Sequence, residues 1–255
     1  MSLSLHSDTF WNTLKSQACS CHDPLIQDVF ATNIGDHPTF SSALASLMGT
    51  KLTDRAISAT SITRLVTDIL TKNPHVAEAA AEDILAIYDR DPACPDLVTP
   101  FLFFKGWQAL QAYRVAHSLW HHNRRQLAYH IQSRMNELFS IDIHPAAQIG
   151  KRISLDHGTG IVIGETCIIE DDVSLFQGVT LGGTGKLSGE RHPILRQGAM
   201  VGAGAKVLGR LTVGKKARIG AGSVILSDVP DGATAVGNPA RIILPNENNK
   251  ERIDI

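Results

Sequence analysis

The sequence contains no long apolar run. Nowhere in its 255 residues does an uncharged stretch approach the roughly 20 apolar residues that a membrane-spanning helix needs. The amino terminus, MSLSLHSDTFWNTL, lacks the basic region followed by an apolar one that marks a secretory leader. Both absences point to a soluble, cytoplasmic chain with no membrane partner. Cysteine is scarce: Cys19, Cys21, Cys94 and Cys167 are scattered, and the one close pair is a C-x-C rather than a zinc-type C-x-x-C. Cys19, Cys21 and the neighbouring His22 read as reduced thiols and an imidazole in a helical region, with no metal. An excess of charge is missing too. With 24 basic and 25 acidic residues the net charge is −1, and no Lys/Arg run is present, so nucleic acid is excluded as a partner.

What is present, 43% hydrophobic and 19% charged residues, suffices for a buried core and one or two domains. Up to residue 139 apolar residues recur at helical spacing, as at Leu65, Val66, Ile69 and Leu70, and again at Trp107, Leu110, Tyr113, His117 and Trp120. Asn73-Pro74 reads as an N-cap with proline at the first helical position, and Thr99-Pro100 as the same signal for the long segment after it.

From Ile143 the spacing changes to six. Ile143, Ile149, Leu155 and Ile161 form one run, Ile163, Ile169, Leu175 and Leu181 a second, and Leu195, Val201, Val207, Val213, Ile219 and Ile225 a third. Four residues after most of them stands a small or β-branched residue, such as Ala147, Cys167, Ala199, Ala205 or Ala217, and glycine often follows directly, as at Gly150, Gly164, Gly202, Gly214 and Gly220. Six residues then make one short strand and one corner, with the aliphatic side chain inside, a small residue beside it and glycine relieving the corner. A single coil cannot bury its own stripe, so the coils must stack. Sandwich strands would alternate with period two, and parallel strands with crossovers would need intervening helices. The fold class is therefore α+β: a helical domain over 1–139, a parallel β-helix over 140–243 and a flexible tail over 244–255. Similarity to hexapeptide-repeat proteins implies that the β-helix is left-handed and the chain a trimer.

The six-residue phase breaks twice, by two residues near Val162 and by the excursion GGTGKLSGERHPI from Gly182 to Ile194. Loops leave a solenoid at its breaks and carry chemistry more often than walls do. The excursion presents Arg191 and His192 among glycines, which fits a ligand site and equally an incidental surface loop. GGTG lacks P-loop spacing and opens no helix. A second polar cluster, Leu155-Asp156-His157-Gly158-Thr159-Gly160, interrupts the wall, and Asp142 lies fifteen residues before His157. That is close to one coil back in an eighteen-residue coil, so the two side chains are expected to meet.

Several blocks together identify a family. IDIHPAAQIG from Ile141, LDHGTGIVIGET from Leu155, VTLGGTGKLSGERHP from Val179, VGAGAKVLG from Val201 and GNPAR from Gly237 closely resemble serine acetyltransferases of bacteria and plants. The resemblance extends into the helical half through DRDPA from Asp89 and KGWQALQAYR from Lys105. It implies transfer of acetyl from acetyl-CoA to L-serine, the first step of cysteine biosynthesis, with feedback inhibition by L-cysteine and no metal.

On this resemblance His157 is the general base and Asp142 orients it. Asp91 and Asp156 hold the serine ammonium, Arg191 its carboxylate, and His192 is a second active-site imidazole. Gly183, Thr184, Ala203, Ala221 and Arg241 are the matching positions for CoA, with Lys215 and Lys216 near its phosphates. Glu190 stands where many members have Asp, and Gly158 where some have Ala. The resemblance also implies a homotrimer or a hexamer of two trimers, and a complex of the carboxyl-terminal Ile255 with O-acetylserine sulfhydrylase. The rival readings are an acetyltransferase for homoserine or a sugar, a β-helical zinc carbonic anhydrase using His144, His157 and His192, and an idle scaffold that only binds the sulfhydrylase.

Overall fold

The computed structural model describes residues 7–20, 23–185 and 188–245; Cys21, His22 and the tail from 246 to Ile255, for which the sequence raised expectations, lie outside them. Among the described residues eight α-helices come first: α1 (Ser7–Cys19), α2 (Pro24–Phe30), α3 (Phe40–Leu52), α4 (Ala59–Lys72), α5 (Pro74–Arg90), α6 (Val98–Phe103), α7 (Lys105–His121) and α8 (Arg125–Phe139). None is long and apolar enough to cross a membrane. Side-chain caps start several of them. The Thr39 hydroxyl accepts from the Ser42 N–H at the head of α3, and the Ser58 hydroxyl does the same for Ser61 at the head of α4.

Pro74 opens α5 as the sequence predicts, although the Asn73 side chain turns back to the Ile69 carbonyl instead of capping. The Thr99-Pro100 expectation needs correction. α6 begins at Val98 with Leu97 as its N-cap residue, and the Asp96 carboxylate just before it accepts from the Thr99 N–H at 2.7 Å. It runs only to Phe103, and an extended Phe104 separates it from α7.

After α8 the chain winds into a parallel β-solenoid of about five turns. Three parallel walls form a triangular prism. The first contains Asp142–Ile143, Val162–Ile163, Thr180–Gly182, Lys206–Leu208 and Val224–Ile225. The second contains Gln148–Ile149, Ile168–Ile169, Ile194–Leu195 and Thr212–Val213. The third runs from Ser154–Asp156 through Ser174–Phe176, Met200–Val201 and Arg218–Ile219 to Thr234–Gly237, and the antiparallel strand Ala240–Ile243 closes it. Of the fourteen hexapeptide aliphatics only Ile149 is not fully buried. Ala147, Cys167, Val173, Val179, Ala199, Ala205, Ala217 and Ser223 share the interior, whereas Thr159 is exposed.

The register gives the coil its length. Val162 pairs with Thr180 and Lys206 with Val224, which is eighteen residues per coil. Asp142 pairs with Val162, so the first coil has twenty, and Thr180 pairs with Lys206, so the excursion adds eight to its coil. The glycines that follow the aliphatics do not relieve strained corners, as their position suggested. Gly202 does not adopt a left-handed conformation, and a Cβ there would stand 2.7 Å from the Ala221 nitrogen. Close approach between coils excludes a side chain. The left-handed conformation falls instead on one corner column of Arg152, Asp172 and Lys216, and on Gly178, Gly204 and Gly222 along the next.

The two halves join through buried contacts. Gly106 in the first turn of α7 lies so close to the third wall that a Cβ would be 1.9 Å from the Leu155 carbonyl oxygen. Asp83 of α5, fully buried, accepts from Arg114 Nη2 at 2.7 Å and from the Ile153 N–H at 2.9 Å, and Arg114 also donates to the Gly150 carbonyl. Desolvation pushes the Asp83 carboxyl up, with Arg114 acting in the opposite direction. A partnered charge of this kind fixes how α5 and α7 sit on the coils.

Candidate active site

His157 stands at the corner where the third wall turns toward the first. Its backbone is left-handed at φ 54° and its side chain is 74% exposed. A left-handed non-glycine backbone is uncommon in general, but Arg152, Asp172 and Lys216 share it, so here it belongs to the turning of the coils. Nε2 lies 3.9 Å from Asp156 Oδ1, an ion-pair separation beyond hydrogen-bond reach. The loop beneath is tightly fixed: the Gly160 N–H donates to the Ser140 carbonyl at 2.6 Å, and the Ile141 side chain fills the space beside Gly158. Lys105 donates to the Thr159 hydroxyl from α7.

Asp142 opens the first wall two residues after Ser140 and is therefore a close neighbour along the same edge. The eighteen-residue argument for its position does not hold, because that coil has twenty residues and Asp142 sits under Val162. Among the described residues its hydrogen-bond donor is Gln132 of α8, at 2.6 Å, and no hydrogen bond joins it to His157. Asp91 caps the end of α5, its Oδ1 accepting from the Ala93 N–H at 2.8 Å. The preceding residue, Arg90, donates to the Ser174 hydroxyl, which carries this helix end to the third wall, the wall that ends in Asp156 and His157.

Arg191 and His192 occupy a different edge, between the first and second walls. His192 is buried, and Thr166 organises it. The Thr166 hydroxyl oxygen accepts from the Arg191 and His192 N–H groups at 3.0 and 3.1 Å. The Thr166 N–H lies 3.2 Å from His192 Nδ1, and an N–H can only donate, so Nδ1 is the bare nitrogen and Nε2 carries the proton. Burial, helped by the Arg191 charge, holds the ring below the usual imidazole range. His192 is thus a neutral imidazole presenting a donor. It packs so tightly on Gly164 that a Cβ there would meet ring Cδ2 at 2.0 Å.

The Arg191 guanidinium is already paired, with Glu165 Oε2 at 2.8 Å, and that bond holds the Glu165 carboxyl below its usual range. Sequence reasoning assigned no part to Glu165, Thr166 or Gln132, although GET lies inside a quoted block. The signal available was a Glu-Thr pair at a corner one coil below an Arg-His pair.

His144 shares this second edge. It sits between Trp120 and Tyr129, with ring centroids at 5.2 and 5.8 Å, and its Nδ1 accepts from the Ala146 N–H. The zinc reading loses its geometry within one chain: His157 stands on another edge, and backbone N–H groups occupy Nδ1 of both His144 and His192.

The positions matched to CoA divide in the same way. Ala203 and Ala221 lie up the edge from His157, where Gly178 donates to the Thr159 carbonyl, Gly204 to that of Gln177 and Gly222 to that of Ala203. Beside them is a shallow cavity of about 150 Å³ lined by Phe176, Met200, Gly202, Arg218 and Ile219. Small residues on closely stacked coils leave the backbone accessible there. Gly183 and the exposed Thr184 stand on the edge of Arg191, and exposed Arg241 lies on the last strand.

Known proteins resemble this chain along most of its length. The family described as "Serine acetyltransferase, N-terminal" matches residues 10–112. The chain is 46% identical to the serine acetyltransferase of Escherichia coli (strain K12) over 247 residues, 96% of this chain and 90% of that protein. A solved serine acetyltransferase in complex with cysteine superposes with a TM-score of 0.91 at 46% identity, covering 92% of this chain and 98% of that one. A serine acetyltransferase in complex with CoA gives 0.89 at 45% identity, covering 93% and 100%. With likeness of this extent across helices and solenoid alike, the chain belongs to the serine acetyltransferase family.

Proposed function

We propose that the chain transfers the acetyl group of acetyl-CoA to the hydroxyl of L-serine, giving O-acetylserine and CoA, at sites assembled between copies of itself. The observation that carries the proposal is the position of His157: an exposed imidazole on a fixed corner with Asp156 beside it. A seryl hydroxyl is a poor nucleophile at neutral pH, and a neutral imidazole titrates in the range where a base is useful. Acetyl-CoA supplies the acyl group and a thiolate as leaving group. His157 takes the seryl proton as the oxygen–carbon bond forms and the carbon–sulfur bond breaks, then returns it to the sulfur. Asp142, positioned by Gln132, orients the ring as it charges. Nε2–H of His192 donates to the oxygen that gains negative charge. Asp91 and Asp156 face the ammonium of serine, and Arg191 its carboxylate. Ala203, Ala221, Gly183 and Thr184 line the path of the pantetheine arm, and Arg241 meets the phosphates.

Arg191 and His192 lie one wall away from His157 in the same chain, which supports a trimer in which one edge of a prism meets the other edge of its neighbour. Two trimers joined through their helical halves make the hexamer. L-cysteine carries the same ammonium and carboxylate as serine and is the inhibitor expected at this site.

The test is a thiol-release assay with acetyl-CoA and L-serine, L-homoserine or a galactoside as acceptor. We expect serine to give the highest kcat/KM and L-cysteine to compete with it. A preference for the sugar overturns the assignment.

A further inference from the structure

We propose that His117 and His121 form a binding site for a divalent transition-metal ion such as Zn2+, Ni2+ or Co2+, at the end of α7 and away from the edges that carry the acyl-transfer residues. Four residues apart on one helix, the two side chains share a face, and their ring centroids are 4.4 Å apart. They border a cavity of about 280 Å³ between the start of α5, the last turns of α7 and the first coil, together with His75, Ser118, His122 and Ile149.

The proton positions carry the argument. His117 Nδ1 lies 2.8 Å from the Pro145 carbonyl oxygen, and a carbonyl can only accept, so the proton is on Nδ1. The Tyr113 oxygen is 3.3 Å from the same nitrogen, but the Tyr113 O–H is committed to the Ala147 carbonyl at 2.5 Å and does not compete for a lone pair. With the proton on Nδ1, the neutral ring leaves Nε2 as a bare lone pair. A histidine that donates one ring N–H to a backbone carbonyl while offering the other nitrogen is the arrangement that orients metal-ligating imidazoles. A plain structural tether between α7 and the Pro145 corner needs only Nδ1 and gives no part to His121.

The chemistry also indicates which ion fits. No carboxylate lines the cavity, and the Arg114 charge at its edge is offset by Asp83. Imidazole nitrogens without carboxylates select zinc, nickel or cobalt over calcium or magnesium. Among the described residues no three metal-ligating side chains already stand together. The proposed site therefore has two imidazoles as its protein ligands, with water for the rest and His75 and His122 lining the same cavity.

The experiment uses the full chain without a polyhistidine tag, stripped with a chelator and titrated with Zn2+ by calorimetry and with Co2+ by absorption. His121 is exposed, so His121→Ala leaves the fold intact. His117→Asn keeps an amide N–H for the Pro145 carbonyl while removing Nε2. We expect one strong site per chain, weakened at least about tenfold in either variant, and a Zn2+-dependent rise in Tm that is lost in His121→Ala. Equal Zn2+ affinity in wild type and His121→Ala overturns the proposal. So does a thiolate charge-transfer band in the Co2+ spectrum, which assigns the ion to cysteine.

Discussion

The Thr166 hydroxyl and the His192 ring hold each other in one protonation arrangement: the oxygen accepts two backbone N–H groups at 3.0 and 3.1 Å and stands 3.0 Å from Nδ1, to which its own proton points. One hydroxyl thereby uses its single donor and both lone pairs. Thr166→Val retains the shape and removes all three bonds. We expect a loss of stability of about 1–3 kcal/mol, the usual cost of leaving buried donors without partners. Turnover falls as well, because the Arg191 and His192 N–H groups lose the oxygen that holds them, while the Thr166 N–H still faces Nδ1 and keeps the proton on Nε2. Urea denaturation gives the first quantity and imidazole nitrogen chemical shifts report the tautomer. We expect the Nε2–H tautomer to persist, and a switch to Nδ1–H in the variant contradicts this account.

Two glycines offer a contrast in what close packing protects. In Gly106→Ala the new methyl would lie 1.9 Å from a backbone oxygen, that of Leu155, which cannot move without shifting the wall. In Gly164→Ala it would lie 2.0 Å from a side chain, that of His192, which can rotate away. We expect Gly106→Ala to lower stability by about 1–3 kcal/mol. Gly164→Ala should lower stability less than Gly106→Ala does and depress kcat by displacing His192. Thermal melts beside thiol-release kinetics separate the two, and a kinetic defect confined to Gly106→Ala would reverse the reading.

The prism was legible because burial in a coil is strictly periodic: Ile143, Leu181 and Ile225 fall on the inside for the same reason, and counting by six finds them. Resemblance then nominated His157, Arg191 and His192 as site residues. Positions set by register were not legible. The link between Asp142 and His157 rested on an eighteen-residue coil, whereas two extra residues place Asp142 beneath Val162. Nor did the sequence reveal that Gln132 holds Asp142 or that Glu165 already neutralises Arg191, because those contacts join side chains from different elements. The break at Phe104 escaped for a different reason. No proline or glycine stands at Phe104 to mark it, and the Thr99-Pro100 pair reads as the start of one long helix.

His117, His144 and His192 are each held below the usual imidazole value of 6.5, in every case first by desolvation. A histidine that resists protonation when folded binds fewer protons in the native state than in the unfolded one, so stability rises with pH between its folded and unfolded pKa values. Acidification below the unfolded value near 6.5 must therefore weaken the fold. Glu165, Glu170 and Asp172 have carboxyls held low by their arginine and amide partners, so their contribution is lost only at more acid pH. We expect the urea midpoint to fall from pH 7.5 to pH 5.5, a window spanning roughly one unit either side of the free imidazole pKa. His144→Gln, which removes one titrating ring, should reduce that slope. A midpoint flat across the window rules out net burial of neutral histidines.

The division of the site between two edges of one prism makes a prediction about mixed assemblies. His157→Ala removes the proposed base and should lower kcat at least about a hundredfold, and His192→Ala should lower it as well. Suppose one edge of each chain works with the other edge of its neighbour. A His192→Ala chain still offers His157, and a His157→Ala chain still offers His192. In a cyclic trimer assembled at random from equal amounts of the two, each seam is complete only when the right variant stands on each side, about one time in four. Co-expression of the two inactive chains should therefore restore about a quarter of wild-type turnover per site, while mixing them after assembly should restore none until subunits exchange. A site complete within one chain predicts no recovery under either condition, so the two arrangements separate in a single activity measurement.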